Sequence, residues 1–337
     1  MDDGASRPIN EAQQRPAGDQ PGGEPRVVSR ADLERELDVV RVHAASPTAG
    51  IFGPASTTWR LNREAVMFLA AGRALLLQLA HPWVAAAVAE HSRVLDDPIA
   101  RFHRTFQIVF AVVFGDLDQA FAAARALHER HARITGTLPA AIGCFPAGTA
   151  YHANDLAALR WVYATLIDSA LAAYDLILGP LGEDVPAQYY AESRLFAAMF
   201  GIPGAALPRD YPAFRAYCAD MTGSDRLAVN GPARSLADRL LTGAGTWLYV
   251  PQSYRAVTAA MLPPRLHRDF GFSGNAAERR AGDRAVAVIR RLYPRLPARL
   301  RYVAPYHEAT ERLAGRPASA ATRLGNRLWI GRPTLAG

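Results

Sequence analysis

The sequence contains no lysine, and all 38 of its basic side chains are arginine. A chain without lysine has no Schiff-base nucleophile, no lysine general base and no phosphate-loop lysine, so these kinds of site are excluded. The 31 acidic residues leave a formal net charge of +7. The excess is concentrated between Arg279 and Arg316. We interpret it as a solvated basic face, with contact to a membrane surface or an acidic partner as the alternative.

Cysteine is scarce, and long apolar runs are missing. Cys144 and Cys218 form neither a disulfide framework nor a metal site with each other. Residues 1–26 have no apolar core of the kind found in a secretory signal. The most apolar stretch, residues 65–89, is interrupted by charged and polar side chains, so no membrane-spanning helix is predicted. Together these absences predict a reduced, cytoplasmic protein.

What the sequence does contain is helix-forming and apolar. Half of the residues are hydrophobic, which supplies a large core and excludes a mostly disordered chain. Alanine and leucine dominate and alternating β-branched runs are scarce, so we predict a single all-α domain over residues 30–314. Residues 1–29 are predicted to be a disordered tail. Residues 315–337 are predicted to be a loosely held C-terminal tail, which Trp329 and Ile330 attach to the body.

Twelve helices are predicted from apolar periodicity and capping residues. They span Ala31–Ala44, Arg63–Leu79, Trp83–His91, Pro98–Phe114, Asp116–Ile134, Asp155–Leu178, Pro186–Phe200, Tyr211–Met221, Ala233–Leu241, Gln252–Leu262, Ala276–Leu292 and Tyr302–Leu313. Asp97 before Pro98 is a typical helix start, Asn154 is a predicted cap, and Gly179 is a predicted stop.

His131 continues the apolar stripe of the predicted helix Asp116–Ile134. The stripe runs Leu117, Ala120, Ala124, Leu127, His131 and Ile134, with a spacing of three and four residues. A buried histidine must satisfy both ring nitrogens. From the residues alone we favour a core histidine that is hydrogen-bonded to a carbonyl or carboxylate, and a metal or haem ligand is the alternative.

Two arginines lie near the start of the helix Pro98–Phe114, which is apolar nearly all round beyond Thr105 and is therefore predicted to be deeply buried. Arg101 and Thr105 share a face, and Arg104 is adjacent. Arginines on a buried helix need anionic partners. Either Asp96, Asp97 or Asp116 supplies a salt bridge, or the arginines bind an anion such as a cofactor propionate or a carboxylate substrate.

Asp168 lies on the apolar helix Asp155–Leu178, where an unpaired carboxylate is costly. It is predicted to accept an ion pair or a hydrogen bond, with a site role as the alternative. Motifs of other chemistries are missing: the sequence has no GxSxG and no HExxH, and no glycine-rich phosphate loop follows a predicted strand.

Six segments, taken in order, resemble the rubber oxygenase family, which includes latex-clearing proteins and the endoplasmic-reticulum-bound oxygenase of mycophenolic acid biosynthesis. The segments are GRALLLQLAHPWVAAAVAEHS (72–92), DDPIARFHRT (96–105), FGD (114–116), HARITG (131–136), WVYATLIDS (161–169) and YYAE (189–192). The resemblance spans about residues 45 to 310. It implies an all-helical fold with a globin-like core, a b-type haem, and dioxygen chemistry on carbon–carbon double bonds of isoprenoid chains.

The resemblance also assigns residues. It implies that His131 is the proximal haem ligand, and that Arg101, Arg104 and Thr105 lie beside the haem. Tyr163 stands where many relatives carry histidine, which changes the polarity of the pocket, and tyrosine is the alternative axial ligand, ranked below His131. We also predict that Asp168 is a cofactor-binding residue, which would pair with an arginine or orient a buried histidine. The glutamate proposed as base in latex-clearing proteins is not placed, although Glu90 is a nearby acid.

The sequence is therefore interpreted as a haem b-dependent oxygenase with dioxygen and a small apolar, isoprenoid-type substrate as partners. Arg101 and Thr105 are the predicted catalytic residues, and His131 is the predicted iron ligand. The missing secretion signal argues against rubber as the substrate. No nucleic-acid partner is predicted. The alternatives are a haem-binding sensor or carrier without turnover, and a haem-free helical interaction protein of the same fold.

Overall fold

The computed structural model of the protein describes residues 26–91, 97–243, 250–272 and 275–336. Sixteen α-helices and one two-stranded ribbon lie in these ranges, which confirms the all-α prediction. The helices are α1 (Arg30–His43), α2 (Thr57–Asn62), α3 (Phe68–Leu79), α4 (Pro82–His91), α5 (Pro98–Phe114), α6 (Leu117–His131), α7 (Leu156–Leu178), α8 (Val185–Ala198), α9 (Tyr211–Gly223), α10 (Gly231–Thr242), α11 (Gln252–Ala260), α12 (Pro264–Asp269), α13 (Ala276–Leu292), α14 (Ala298–Arg301), α15 (Ala304–Leu313) and α16 (Ala320–Ile330). Short 3₁₀ turns span Ala65–Met67, Gly204–Ala206 and Tyr293–Arg295.

Capping side chains explain where several helices begin. Asp97 accepts a hydrogen bond from the amide of Ala100 at 2.9 Å and is followed by proline, so α5 begins where predicted. The cap of α7 is Asp155, whose carboxylate accepts the amide of Ala158 at 2.9 Å. The prediction that Asn154 caps this helix is wrong because its side chain is used elsewhere.

α7 is the central helix of the core. It packs along α3, and the indole of Trp161 donates to the carbonyl oxygen of Leu77 at 3.0 Å. Fifteen of its residues are buried. By length and apolar composition alone α7 could cross a membrane, as could α3 with its 3₁₀ turn and α4 taken together, although these bend by 102°. A core helix passes the same test.

Both predicted tails differ from the structure. Val28 is 4% exposed and packs in the core, and the amide of Leu156 donates to the carbonyl of Arg26 at 2.9 Å. The disordered tail therefore does not extend to residue 29, and residues 1–25 lie outside the described ranges. At the other end, α16 packs on α5 and α15 with Asn326 and Ile330 at most 1% exposed. The prediction of a loosely held segment is wrong there, because an apolar helix face covers the core.

Three small elements carried no usable sequence signal. α2 and α12 have six residues each, too few to show a helical period. The strands β1 (Thr135–Thr137) and β2 (Ala150–His152) pair antiparallel, with Gly136 opposite Tyr151. Strands of three residues with glycine and alanine show no alternating pattern. The ribbon packs against α4 and follows α6 directly, so it lies next to His131 in the chain.

Candidate functional site

The predicted site residues of α5 and α6 lie at the same end of a helical hairpin. The two helices pack against each other and are joined by only Gly115 and Asp116, so they run antiparallel. With a rise of about 1.5 Å per residue, Arg101 and His131 each lie about 20 Å along their helices from this connection. Arg101 and His131 therefore lie at a similar height along the α5–α6 hairpin, at the end away from the connection.

α5 is buried at its C-terminal end and open toward its N-terminal end. Residues 110–114 are buried, whereas Phe106 is half-buried and Arg104 and Thr105 are exposed. The prediction of deep burial beyond Thr105 is wrong for this middle part, because the neighbouring helices cover only one side of it. The open side presents the guanidinium of Arg104 and the hydroxyl of Thr105 to solvent.

Arg101 and Arg104 place two like charges close together. Burial lowers the pKa of Arg101 below its ordinary value, and the nearby charge of Arg104 lowers it further. Asp97 and Asp116, two of the expected salt-bridge partners, instead serve as helix caps, and Asp96 lies outside the described residues. Within the described ranges no carboxylate pairs with Arg104, so its charge is available to an anion.

His131 ends α6 at the edge of the core. Leu117, Ala120 and Ala124 of its stripe are buried as predicted, but Leu127 and His131 are half-buried because the stripe leaves the core toward the helix end. Desolvation is the main cause that lowers the pKa of His131 to about 4, and nearby Arg130 and His128 act in the same direction. The imidazole is therefore neutral at neutral pH, which is the form that binds a metal.

A side-chain hydrogen bond with Asn154 raises the pKa of His131 against the larger, opposite effect of desolvation. Asn154 is 2% exposed, and its amide nitrogen donates to the carbonyl of His128 at 3.1 Å. The contribution of Asn154 opposes the drop in the pKa of His131, as expected for a hydrogen bond that favours the protonated ring. Among the described residues the other ring nitrogen has no hydrogen-bond partner. A histidine held at one nitrogen and available at the other is how a metal ligand is typically oriented.

A closed circuit of hydrogen bonds fixes Asn154 in turn. The amide of Val28 donates to the carbonyl of Asn154 at 2.8 Å, and Nε2 of His128 lies 3.0 Å from the carbonyl oxygen of Val28. The bond from Asn154 to the His128 carbonyl closes the circuit. The N-terminal segment thus supports the residue that orients His131, a role that no local sequence pattern indicated.

Tyr163 faces a different neighbour. It is 1% exposed, and its hydroxyl lies 2.7 Å from Oγ of Ser193 on α8. Burial raises the pKa of its phenol far above the ordinary value. A tyrosine ligand needs the phenolate form, so the structure gives no support to Tyr163 as an alternative iron ligand. Its hydroxyl instead joins α7 to α8.

Asp168 forms an ion pair with Arg73, which confirms the prediction that its buried carboxylate is paired. Nη2 of Arg73 lies 2.6 Å from one carboxylate oxygen of Asp168, and Nη1 of Arg215 lies 3.3 Å from the other. Arg73 also donates to Oγ of Ser169 at 2.9 Å and to the carbonyl of Met261 at 2.8 Å. Both oxygens of Asp168 are therefore engaged by arginine, and nothing in this geometry supports the predicted cofactor contact.

An aromatic surface lies beside the arginine pair. We use this name for Phe68, Phe102 and Phe106. The ring centroid of Phe102 lies 5.6 Å from that of Phe68 and 4.5 Å from that of Phe106. Phe68 is 37% exposed, whereas Phe102 and Phe106 are half-buried, so Phe68 is the most open ring of this surface. Phe102 directly follows Arg101 and Phe106 directly follows Thr105, so aromatic rings lie next to charged and polar groups along this part of α5.

Glu90 makes a contact that the sequence did not indicate. The hydroxyl of Tyr151 donates to a carboxylate oxygen of Glu90 at 2.6 Å, which joins the end of α4 to the ribbon. Burial, followed by this bond, raises the pKa of Tyr151. The adjacent His91 bonds the carbonyl of Thr135 through Nε2 at 2.9 Å. Glu90 is therefore a structural link of α4 to the ribbon that follows His131.

His81 is buried without a hydrogen bond to its Nδ1 atom. It lies at the bend between α3 and α4, is 4% exposed, and packs its ring on Trp83 and Phe145. Burial lowers its pKa to about 4, and the charge of Arg226 acts in the same direction. His81 is therefore a neutral core histidine.

The fold and these residues define an all-helical protein with one oriented neutral histidine, an arginine pair and an open aromatic surface. The chain belongs to the family described as ER-bound oxygenase mpaB/B'/rubber oxygenase, catalytic domain, whose model matches residues 58–291. No curated protein and no solved structure matches the chain. The matched range includes His131, Arg101, Arg104 and Thr105, and it excludes Val28 and α14 to α16.

Proposed function

We propose that the protein is a haem b-dependent oxygenase that acts with dioxygen on an apolar, isoprenoid-type substrate. Membership of a family of oxygenase catalytic domains supports oxygen chemistry by an oxidoreductase. The observation that carries the haem assignment is His131, whose imidazole is neutral at neutral pH and interacts with the buried side chain of Asn154.

The donor set fits haem better than a bare metal ion. Among the described residues no group of three or more histidine, cysteine or acidic side chains is placed to hold a metal. A structural or catalytic ion bound by protein alone needs such a group. A single histidine is sufficient when a porphyrin supplies the remaining nitrogens. Arg101 and Arg104 provide the positive charge that haem propionates require.

Each residue then has a distinct task. Bound haem would supply the activation of dioxygen. His131 would provide the protein's bond to the iron, and Asn154 keeps its ring in one orientation. Arg101 and Arg104 would neutralise the propionates, and Thr105 would donate a hydrogen bond on the same open side of α5. The aromatic surface would hold the alkene and exclude water.

Two measurements test this proposal and separate it from its alternatives. Protein expressed with adequate haem supply is expected to show a Soret band and about one haem per chain. The reduced protein is then expected to consume oxygen and form carbonyl products from a polyunsaturated isoprenoid such as squalene. Haem without oxygen consumption would favour a sensor or carrier. Absence of both iron and a Soret band would favour the haem-free interaction protein. We propose the cytoplasm as its location.

A further inference from the structure

A surface formed by the end of α13, the following 3₁₀ turn and α14 combines exposed leucines with arginines. Residues 284–307 contain six arginines and no acidic residue. Four apolar side chains recur here every fourth residue: Val288, Leu292, Leu296 and Leu300 are 54%, 55%, 39% and 68% exposed. Together with Arg290, Arg291, Arg295 and Arg299 they are called the basic apolar surface.

These apolar side chains are exposed although their segment is held to the core by hydrogen bonds and an ion pair on its buried side. Tyr293 is 8% exposed, and its hydroxyl donates to the carbonyl of Arg301 at 2.8 Å and lies 3.1 Å from the carboxylate of Glu64. Arg301 forms two bonds to Glu64 at 2.7 and 2.8 Å. Glu64 is 1% exposed. The backbone is therefore fixed to the core, and the apolar side chains stay in solvent.

A groove of about 690 Å³ opens beside this surface, between α7, α11 and α13. Its floor is apolar and includes Leu176, Val257 and Met261. Its lining also includes Arg290, Arg291 and Arg295, together with the acidic Asp283. An apolar floor with arginines along it suits an acyl chain that carries a phosphate.

The arginines of the surface are available for an anion. Among the described residues none of Arg290, Arg291, Arg295 and Arg299 forms an ion pair, and the one bond they make to each other joins Arg295 to the carbonyl of Arg291. The family match ends at residue 291, so most of the surface lies beyond it. The oxygenase site does not use any of these residues.

We propose that the basic apolar surface docks the protein on a bilayer that contains anionic lipids. Leucines inserted below the headgroups and arginines at the level of the phosphates account for both features of the surface. A second copy would bring the arginines of the two surfaces together, which is unfavourable. A nucleic acid would pair with the arginines but would leave the leucines without a function.

The experiment is flotation of the full-length protein with vesicles. Vesicles of phosphatidylcholine alone are compared with vesicles that also contain phosphatidylglycerol, at low and at high ionic strength. We expect binding to the anionic vesicles that weakens with salt. The double variant Leu292→Glu/Leu300→Glu is expected to bind about tenfold more weakly, because two carboxylates face the anionic surface. Circular dichroism verifies that the helical fold is retained.

Val39→Glu/Val42→Glu is the matched control. Val39 and Val42 are 45% and 81% exposed on α1, whose charges are mixed in sign, so this double change adds the same charge away from the proposed surface and is expected to leave binding unchanged. Equal binding of the wild type and the double variant would overturn the proposal, as would binding independent of phosphatidylglycerol or no binding. Self-association abolished by the double variant would assign the surface to a second copy instead. Oligonucleotide binding unaffected by the leucine changes would assign it to a nucleic acid. None of these results depends on haem content, so they are independent of the oxygenase proposal.

Discussion

Asn154 and His131, 23 residues apart in the sequence, are hydrogen-bonded through their side chains. The amide nitrogen of Asn154 donates to the carbonyl of His128 at 3.1 Å, which fixes the orientation of the amide group beside the imidazole. His131 lies at the edge of the core, and its interaction with Asn154 would orient the imidazole as a ligand. The haem proposal depends on this interaction.

Asn154→Ala is expected to weaken haem binding while leaving His131 in place. Loss of the residue that orients a ligating histidine typically costs 10–100-fold in affinity. The measurement is a haem titration followed by the Soret band. Asn326→Ala is the matched control, since Asn326 is also fully buried but bonds Glu308 in α15. Both variants are expected to lose stability, and only Asn154→Ala is expected to lose affinity. An unchanged affinity for Asn154→Ala would show that the amide has no role in binding.

Arg101→Ala is expected to reduce haem retention more than Arg316→Ala. Arg101 is half-buried next to Arg104, whereas Arg316 is exposed beyond α15. Removal of a charge that neutralises a propionate leaves an anion without its partner. The rate of haem transfer to an excess of an apo-globin measures retention. Equal transfer rates for the two variants would make Arg101 an ordinary solvated charge.

Asp168→Ala is expected to destabilise the protein by about 3–5 kcal/mol, because Arg73 then remains buried without its carboxylate. Urea unfolding followed by circular dichroism gives the free energy of unfolding. Asp38→Ala removes an exposed ion pair to Arg41 and is expected to cost less than about 1 kcal/mol. A stable Asp168→Ala variant that fails to bind haem would instead restore the cofactor role predicted for Asp168.

Acid is expected to destabilise the fold through His81. Its pKa is about 4 in the folded protein against an ordinary 6.5, so the unfolded chain takes up the proton first as the pH falls. The stability associated with neutral His81 is present above pH 6.5 and is lost between about 6.5 and 4. The loss from this one group between pH 7 and pH 5 is about 2 kcal/mol.

His81→Phe isolates this contribution. Phenylalanine keeps the ring contacts with Trp83 and Phe145 and does not titrate. The variant is expected to lose about 2 kcal/mol less than the wild type between pH 7 and pH 5 in urea unfolding. Identical pH dependence of the two proteins would mean that His81 has an ordinary pKa when folded.

Local signals in the sequence located the long helices, although α3 begins at Phe68 after a 3₁₀ turn and not at Arg63 as predicted. Asp97 with Pro98 marked the start of α5, and the apolar period of α7 was clear over its whole length. Short elements such as α2 and the ribbon were missed because they are shorter than one clear period. The stretch after Gly315 was predicted to be a tail because it contains few large apolar residues. In the structure these few residues form the face of α16 that packs on α5.

The partners of the site residues could not be predicted, because they are set by packing between distant segments. Arg73 and Asp168 are 95 residues apart, and their pairing depends on how α3 crosses α7. Asparagine is a typical helix cap, so Asn154 was predicted to cap α7. Only the three-dimensional fold shows that Asp155 is the cap and that the side chain of Asn154 interacts with His131. The sequence identified His131 through its stripe and the family resemblance, but it held no signal for the circuit through Val28.

The most direct test of the central claim is the absorbance spectrum of His131→Ala expressed with adequate haem. We expect loss of the native Soret and visible bands with the helical fold retained, and partial recovery when imidazole is added. His103→Ala and Tyr163→Phe are the controls, since His103 bonds the carbonyl of Leu328 and Tyr163 bonds Ser193. Both are expected to keep the wild-type bands. Wild-type bands in His131→Ala, or their loss in either control alone, would contradict the assignment of His131 as the iron ligand.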